Sequence, residues 1–258
     1  MLEGPPLIFT PERFLFPRAD KERDENSGGS ISTLRVPPRN CSPEFASPDI
    51  AYCRMAAVCI IVRKSSDFFG RRPIISRGSG FWIESEGGPY ILTNEHVVGG
   101  INAKRTDVSA MSLNQKSAQE IEVVKVGRRK KDDIALLKPT DSSFRPAVSF
   151  PLASSEALVQ GAPVLICGFP GGVLPFNMGR GFISSLEGFR LADQITLDAS
   201  VNPGNSGGPV FIMENGFVRI AAMIRSKSSL EGICFAIPSD TIRRAIDEIL
   251  DTCSNRGS

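Results

Sequence analysis

From residue 51 onward the chain consists of short apolar runs separated by turn-forming residues, and few folds accommodate that pattern. Each run is only a few residues long, which is typical of β-strands and too short for most helices. A polar stretch that contains prolines, residues 139–163, divides the runs into two groups. The first group is AAVCIIV, GSGFWIE, PYILTN, EIEVVKV and DIALLK, and the second is VLICGF, GFISSL, QITLDA, PVFIM, RIAAMI and GICFAIP. The sequence therefore predicts an all-β fold with two β-units in tandem, over about residues 51–145 and 150–238.

The segments that flank the two units follow other patterns. Residues 1–50 are rich in Pro, Ser, Gly and charged residues, and they bury too little apolar surface to offset the entropy cost of ordering. We expect an extended or partly disordered arm there, so that residues 51–258 form the folded domain. At the other end, apolar residues recur at helical spacing after Ser239, which can cap a helix. We expect a C-terminal α-helix over 240–252 that packs on the second unit.

Composition argues against several classes of function. The 30 Lys and Arg residues nearly balance the 28 Asp and Glu residues, so the net charge of +2 creates no broad field for binding nucleic acid. No apolar run reaches the roughly 18 residues of a membrane span, and the N-terminal segment lacks the pattern of a signal peptide. We therefore expect no nucleic-acid partner, no membrane partner and a cytoplasmic location.

The cysteines and the histidine argue against a disulfide framework and a metal site. The six cysteines are irregularly spaced in a chain much longer than the small domains that depend on disulfides, so we expect reduced thiols. One histidine and no CxxC pair leave too few ligands for a His-based zinc site. We expect neither a metal nor an organic cofactor.

The densest local motif is NPGNSGGPV, residues 202–210, which surrounds Ser206. A serine needs a base to take its proton and a set of N–H donors for the oxyanion that forms when it attacks a carbonyl. The glycines on either side of Ser206 allow a tight turn that can aim successive amide groups at one point. The alternative is a glycine-rich hairpin with a solvated serine.

A base and an orienting acid for Ser206 occur in two other motifs. His96, in TNEHVV, follows an apolar run and is the only histidine, so no other imidazole base is available. Asp133 opens the apolar run DIALLK, where a partly buried carboxylate can accept a hydrogen bond from His96 and hold its tautomer. Asp132 could compete for this role, and either acid could instead lie in an exposed turn. The chain order His96, Asp133, Ser206 is one of three in which such triads occur.

Five stretches of the chain resemble the HtrA/Deg-type serine proteases, in the order of that family and over roughly residues 55–250. They are GSGFWIE, ILTNEHVV, DDIALLK, NPGNSGGPV and GICFAIPS. The resemblance implies two six-stranded antiparallel β-barrels of the chymotrypsin/trypsin-like type, with endopeptidase activity in the cleft between them. It implies protein or peptide substrates and a homo-oligomer. His96 would be the general base, Asp133 would orient it and Ser206 would attack.

The resemblance also suggests where substrate and oxyanion bind. Backbone N–H groups around Gly204, Asn205 and Ser206 would form the oxyanion hole. The substrate pocket would involve Ser200 and Val201, together with the region that begins at Met223. We expect small or aliphatic residues before the scissile bond, although Arg225 and Lys227 could favour an acidic one if either points inward. Residues 168–181 would be a mobile activation loop or, equally well, a static connection.

The HtrA family commonly carries a PDZ domain and a targeting segment, and we expect neither in this chain. Two further readings therefore stay open beside an active serine endopeptidase. One is a protease-fold protein that binds peptides or acts as a scaffold without useful turnover. The other is an effector protease with one target, kept latent by the arm of residues 1–50.

Overall fold

The computed structural model describes residues 45, 47–64, 73–85, 88–99, 106–113, 118–142, 146, 148–172, 175–187, 193–228 and 231–254. Residues 1–44, most of the predicted arm, lie outside this set.

Six antiparallel strands close the first barrel. They are β1 (Ala57–Lys64), β2 (Ile74–Ser85), β3 (Gly88–Thr93), β4 (Thr106–Leu113), β5 (Ala118–Arg129) and β6 (Ile134–Pro139). Their order around the barrel is β1-β2-β3-β6-β5-β4, and β4 pairs with β1 to close it. Because side chains alternate between the two faces of a strand, Val58, Ile60 and Val62 of β1 point inward and pack with the fully buried Trp82.

The second barrel repeats the architecture. Its strands are β7 (Pro163–Gly168), β8 (Asn177–Ser185), β9 (Ile195–Asp198), β10 (Pro209–Glu214), β11 (Phe217–Lys227) and β12 (Ile233–Pro238). They follow the order β10-β11-β12-β9-β8-β7, and β10 pairs with β7. Val164, Ile183 and Leu197 are among the buried residues of its interior. The predicted pair of six-stranded antiparallel barrels is confirmed.

The two barrels share a third apolar core that lies outside both interiors. In β3 and β6, Ile91 and Leu137 fill the first barrel, whereas Leu92 and Leu136 belong to a cluster that also contains residues of the second barrel. These strands are therefore buried on both faces, which explains why their sequences are continuously apolar. Phe211 of β10 lies in the shared cluster, with its ring 5.2 Å from that of Phe150 in an edge-to-face arrangement.

Helices α1 (Ser47–Ala56), α2 (Glu95–Gly99) and α3 (Ser239–Ser254) complete the fold. The predicted C-terminal helix is confirmed as α3, whose Ile242, Ile246 and Ile249 are buried in the shared core. However, α3 contacts β5 and β6 as well as β11 and β12, so it packs on both barrels rather than on the second alone. The sequence pattern shows which helix face is apolar but not which surfaces that face meets.

Helix α1 was not anticipated, and it crosses residue 50, where the arm was expected to end. Its ten residues contain few apolar positions at helical spacing, so the amphipathic signal is weak. A serine and a proline at its start, followed by Asp49, are the start signals that could have revealed it. The fully buried Cys53 and Ala56 anchor the helix to the shared core.

The five described cysteines are all free thiols. Burial raises the pKa of Cys167 and Cys53 well above the usual range, and it raises the pKa of Cys234 to about 12. Since the thiolate is the reactive form, these three side chains behave as small apolar core residues. Cys253, near the end of α3, is exposed.

A pair of phenylalanines tests the importance of the shared core. Phe211 is fully buried, so Phe211→Ala should lower the free energy of unfolding by about 3–5 kcal/mol through lost burial and the cavity left behind. Phe182, on β8, is 53% exposed, and Phe182→Ala should cost only about 1 kcal/mol or less. Urea denaturation followed by circular dichroism measures both. Equal losses of stability would contradict the assignment of Phe211 to the core.

Candidate active site

His96 and Asp133 are in direct contact at the edge of the first barrel. Nδ1 of His96 lies 2.8 Å from Oδ2 of Asp133 and 3.0 Å from Oδ1. The backbone N–H of His96 also donates to Oδ1, at 3.0 Å. The His96 side chain is 50% exposed, whereas that of Asp133 is only 11% exposed. The carboxylate is thus held in a largely dry position by the backbone and ring of one residue, while the ring itself reaches solvent.

The pairing of β3 with β6 brings these two residues together. The last residue of β3 lies opposite the second residue of β6, so the turn after β3 meets the turn before β6. The backbone carbonyl of Asp133 accepts a hydrogen bond from the N–H of Glu95 and another from Nδ2 of Asn94, both at 3.1 Å. These two bonds to the Asp133 carbonyl fix the start of α2 against Asp133, independently of the contact between the side chains of His96 and Asp133.

The sequence left Asp132 and Asp133 as alternatives, and the acid that contacts His96 is Asp133. Asp133 has a φ of 59°, in the left-handed region that few residues other than glycine, asparagine and aspartate adopt. Its N–H donates to the carbonyl of Lys130, at 3.3 Å, which closes the turn. This turn conformation, which no motif reveals, selects between the two adjacent acids.

Ser206 lies next to the segment that carries His96, and Gly78 lies between them. A Cβ added to Gly78 would stand 2.8 Å from the methyl groups of Val97 and 3.2 Å from the carbonyl oxygen of Ser206. The neighbouring Ser79 donates its N–H to that same oxygen, at 2.8 Å. Only a glycine permits this approach of the two barrels. The structure therefore places Ser206 beside the residue that follows His96.

The turn that contains Ser206 leaves two of its amide groups for a ligand. The N–H of Asn205, one of the expected oxyanion donors, donates to the carbonyl of Asn202, at 3.0 Å. The Asn205 carbonyl accepts from the N–H of Gly208, at 2.9 Å. In a trans peptide the C=O and N–H point in opposite directions, so this bond also orients the N–H of Ser206. Within the described part of the chain, the N–H groups of Gly204 and Ser206 donate to no acceptor.

Two hydrogen bonds fix the peptide groups around Gly204. The carbonyl of Pro203 accepts from the N–H of Gly171, at 2.6 Å, so the N–H of Gly204 must point the other way. The carbonyl of Gly204 accepts from Oγ of Ser79, at 2.7 Å. Gly204 has a φ of 99°, which disfavours any side chain at this position.

Ser79 is the residue at this site to which the sequence assigned no role. Its fully buried hydroxyl donates to Gly204 and accepts from the N–H of Phe169, at 2.9 Å. Its carbonyl accepts from the hydroxyl of Thr93, at 2.7 Å, and its N–H binds Ser206. A serine between two glycines at the centre of a strand is the signal that could have drawn attention to it. Through Ser79, strand β2 of the first barrel supports the Ser206 turn of the second.

Two of the three residues expected to form the substrate pocket are buried. Ser200 is exposed, but Val201 is only 4% exposed and Met223 is fully buried. Met223 pairs with Pro209 and Ile237 in the middle of β11 and belongs to the shared core. Met223 and Val201 therefore support the site from beneath and offer little surface to a substrate. The sequence pattern did not reveal which face of β11 Met223 occupies, or that Val201, in the connection between β9 and β10, is buried.

The segment expected to be an activation loop or a static connection touches the Ser206 turn. Pro170–Gly172 forms a short 3₁₀ turn, and Gly171 within it has a φ of 69° and binds Pro203 as described above. Residues 173–174 of this segment lie outside the described set. The contact means that any movement of Gly171 acts directly on the peptide group that precedes Gly204.

The described residues contain no group of three or more His, Cys, Asp or Glu that could hold a metal ion. No helix within the same ranges is long and apolar enough to cross a membrane.

The chain is similar in sequence to known serine peptidases. The profile of the family described as "Trypsin-like peptidase domain" matches residues 78–218. The chain is 33% identical over 198 residues to the "Probable periplasmic serine endoprotease DegP-like" of Marinomonas sp. (strain MWYL1), covering 70% of this chain and 39% of that protein. A protein of the same description from Pseudomonas putida (strain W619) is 36% identical over 176 residues, covering 66% and 34%. "Serine protease Do-like HtrA" of Bacillus subtilis (strain 168) is 32% identical over 184 residues, covering 67% and 39%. The aligned part thus spans about two fifths or less of each of these relatives.

Two glycines with the same backbone angle test how closely the barrels approach. Gly161 and Gly207 both have a φ of 85°, so alanine is strained at either position. Nothing lies within 4 Å of a Cβ added to Gly161, whereas one added to Gly207 would collide with the Ser79 carbonyl oxygen. We expect Gly161→Ala to cost about 1–2 kcal/mol of unfolding free energy and Gly207→Ala about 3 kcal/mol or more. Thermal denaturation compares them, and similar costs would refute the close contact at Ser79.

Proposed function

Because the chain belongs to the trypsin-like peptidase family, we propose that it is a serine endopeptidase in which Ser206 is the nucleophile, His96 the general base and Asp133 the residue that orients His96. The resemblance to HtrA/Deg-type proteases seen in the sequence is confirmed by the family match and by the relatives. Those relatives are named endoproteases, and we extend that activity, with protein or peptide substrates, to this chain.

The observation that carries the proposal is the contact of 2.8 Å between His96 Nδ1 and Asp133 Oδ2. An ionised carboxylate can only accept a hydrogen bond, so neutral His96 bound to it carries its proton on Nδ1. Nε2 is then unprotonated and available as a base. When His96 becomes an imidazolium, the adjacent Asp133 carboxylate stabilises the positive charge.

The reaction then proceeds in two halves. Oγ of Ser206 attacks the scissile carbonyl while its proton passes to Nε2 of His96. The tetrahedral oxyanion is met by the N–H groups of Gly204 and Ser206, two donors that the turn already orients. The imidazolium gives its proton to the leaving amine, and an acyl-enzyme ester remains on Ser206. Water, deprotonated by His96, hydrolyses the ester and restores the serine.

In this mechanism Ser79 is a positioning residue. Its hydroxyl fixes the carbonyl of Gly204 without touching the reacting atoms, and its N–H fixes the carbonyl of Ser206. Donors that are oriented before the reaction need no rearrangement as charge develops on the oxyanion, which is the source of their effect on rate.

The cytoplasmic location expected from the sequence is wrong. Relatives from Marinomonas, Pseudomonas putida and Rhizobium meliloti are named periplasmic serine endoproteases, which points to the periplasm. The expectation rested on the lack of a membrane-length apolar run and of a signal-peptide pattern. The reduced thiols expected from the sequence do not support it either, because a buried thiol such as that of Cys167 stays unreactive in an oxidising compartment too.

The roles of the triad can be separated with a fluorophosphonate probe and a peptide substrate. Ser206→Ala should abolish labelling, and Asp133→Asn should reduce kcat about 10⁴-fold because the His96 tautomer is lost. Asp132→Asn is the matched control, since Asp132 neighbours Asp133 and is also buried, and it should keep kcat within a few fold. Equal losses in the two Asn variants would contradict the assignment. A folded wild-type protein that binds peptides without labelling or cleavage would favour the scaffold alternative.

Ser79 can be tested against a second buried hydroxyl. Ser79→Ala should lower kcat about 10-fold or more with little change in KM, because one support of the oxyanion turn is lost. Thr93→Val removes the hydroxyl that binds the Ser79 carbonyl, and it should cost stability, about 1–3 kcal/mol, without the same fall in kcat. The affinity of a peptide boronic acid, a mimic of the tetrahedral state, should fall in parallel with kcat. Equal kcat for the two variants would refute the positioning role.

A further inference from the structure

Arg225 is a cation that the proposed mechanism does not use, although it lies beside the triad. Strand β11 pairs with β12 through Ile224 opposite Ala236 and Ser226 opposite Phe235, so Arg225 is the extra residue of a β-bulge. A bulge redirects the side chain of the strand that contains it, and bulges are common next to active sites. The bulge accounts for the difference between Arg225 and the buried Met223, two residues earlier on the same strand.

The Arg225 guanidinium is charged, mostly buried and not saturated by the protein. Its Nε lies 3.5 Å from Oδ2 of Asp133, and 21% of its side chain is exposed. It donates no hydrogen bond to any residue that the structure describes. A guanidinium has five N–H donors in a planar fork suited to a carboxylate, and the described residues leave most of these donors available.

Asp133 does not occupy all the N–H donors of Arg225. Its carboxylate already accepts from the ring and the backbone N–H of His96, at 2.8–3.0 Å, whereas Arg225 stands further away. Arg219, on the same strand, has a comparable ion pair, 3.6 Å from Nε to Glu214, but on the other side of β11 from the bulge. Proximity to the reacting groups distinguishes Arg225.

We propose that Arg225 is a carboxylate-binding subsite, and that the preferred substrates carry an Asp or Glu close to the scissile bond. This inference rests on the proposed function and specifies its substrate class. Asp133 contacts the Nδ1 side of His96, whereas the reaction uses Nε2, so the Asp133 carboxylate and the imidazole ring separate Arg225 from Nε2. The acidic residue therefore flanks the residue before the scissile bond rather than occupying that position itself.

The test measures binding in the Ser206→Ala background, so that it does not depend on turnover. The probes are labelled ten-residue peptides of neutral sequence with one Asp placed at each position in turn, each with an Asn counterpart of the same shape. Fluorescence anisotropy should show the Asp peptide binding about 10-fold more tightly than its Asn partner at one or two adjacent positions. The preference should shrink at high salt, since it is electrostatic.

Variants at two arginines assign the preference. Arg225→Gln in the same background should abolish it, and Arg225→Lys, which keeps the charge but loses the fork, should retain it in part. Arg219→Gln, the matched loss of one arginine from β11, should leave it unchanged. Circular dichroism checks that each variant is folded. If Arg225→Gln is unfolded, the role of Arg225 is tested by comparing the Asp preference of Arg225→Lys with that of Arg219→Gln.

The subsite would be overturned by equal affinity within every Asp and Asn pair, or by a lack of binding of any peptide. It would also be overturned if the preference for Asp survived in Arg225→Gln. The same holds if the preference were equal in Arg225→Lys and Arg219→Gln. Failure of the proposed function is recognised separately, by the lack of Ser206-dependent cleavage of these peptides in the wild-type protein.

Discussion

The arrangement of this protein depends on the contact between Ser79 of the first barrel and the turn that carries Ser206 in the second. Four hydrogen bonds of 2.7–2.9 Å meet at Ser79: three hold backbone groups of Gly204, Ser206 and Phe169, and the fourth binds the carbonyl of Ser79 itself to Thr93. The contact is possible because Gly78 and Gly207 have no side chains, so two backbones meet where a Cβ would not fit. Beside the shared apolar core, this contact fixes the two barrels to each other through main-chain groups.

A second constraint is the charge of Asp133, which lies mostly out of water. Removing a carboxylate from water is costly unless donors and opposite charge surround it. His96 supplies the donors on one side and Arg225 supplies a positive charge on the other. His96 belongs to the first barrel and Arg225 to the second, so this carboxylate also depends on both halves of the fold. The proposed carboxylate subsite would use the remaining donors of the same arginine.

Much of the fold and part of the site were readable in the sequence, because they rest on local pattern. Strands buried on one or both faces leave alternating or continuous apolar runs, and α3 leaves an apolar stripe. His96 and Asp133 follow and precede such runs at the ends of paired strands, so their contact follows from strand pairing once β3 lies beside β6. Helix α1 was missed because its buried face consists of small or polar residues, Asp49, Cys53 and Ala56, which leave a weak apolar pattern. The compartment was misjudged because composition says little about it.

By itself the sequence determined which residue types are present at the ends of which strands, and so the class of fold and the chemistry that is available. Tertiary structure alone decided the direction of each group. The left-handed turn at Asp133 places its carboxylate against His96, the N–H of Asn205 is bound to the carbonyl of Asn202, and Arg225, the extra residue of a bulge, lies beside Asp133. The physical reason is that hydrogen bonds and charges act over a few ångströms, and the distances among Ser79, Ser206, Asp133 and Arg225 exist only after residues far apart in the chain have packed together.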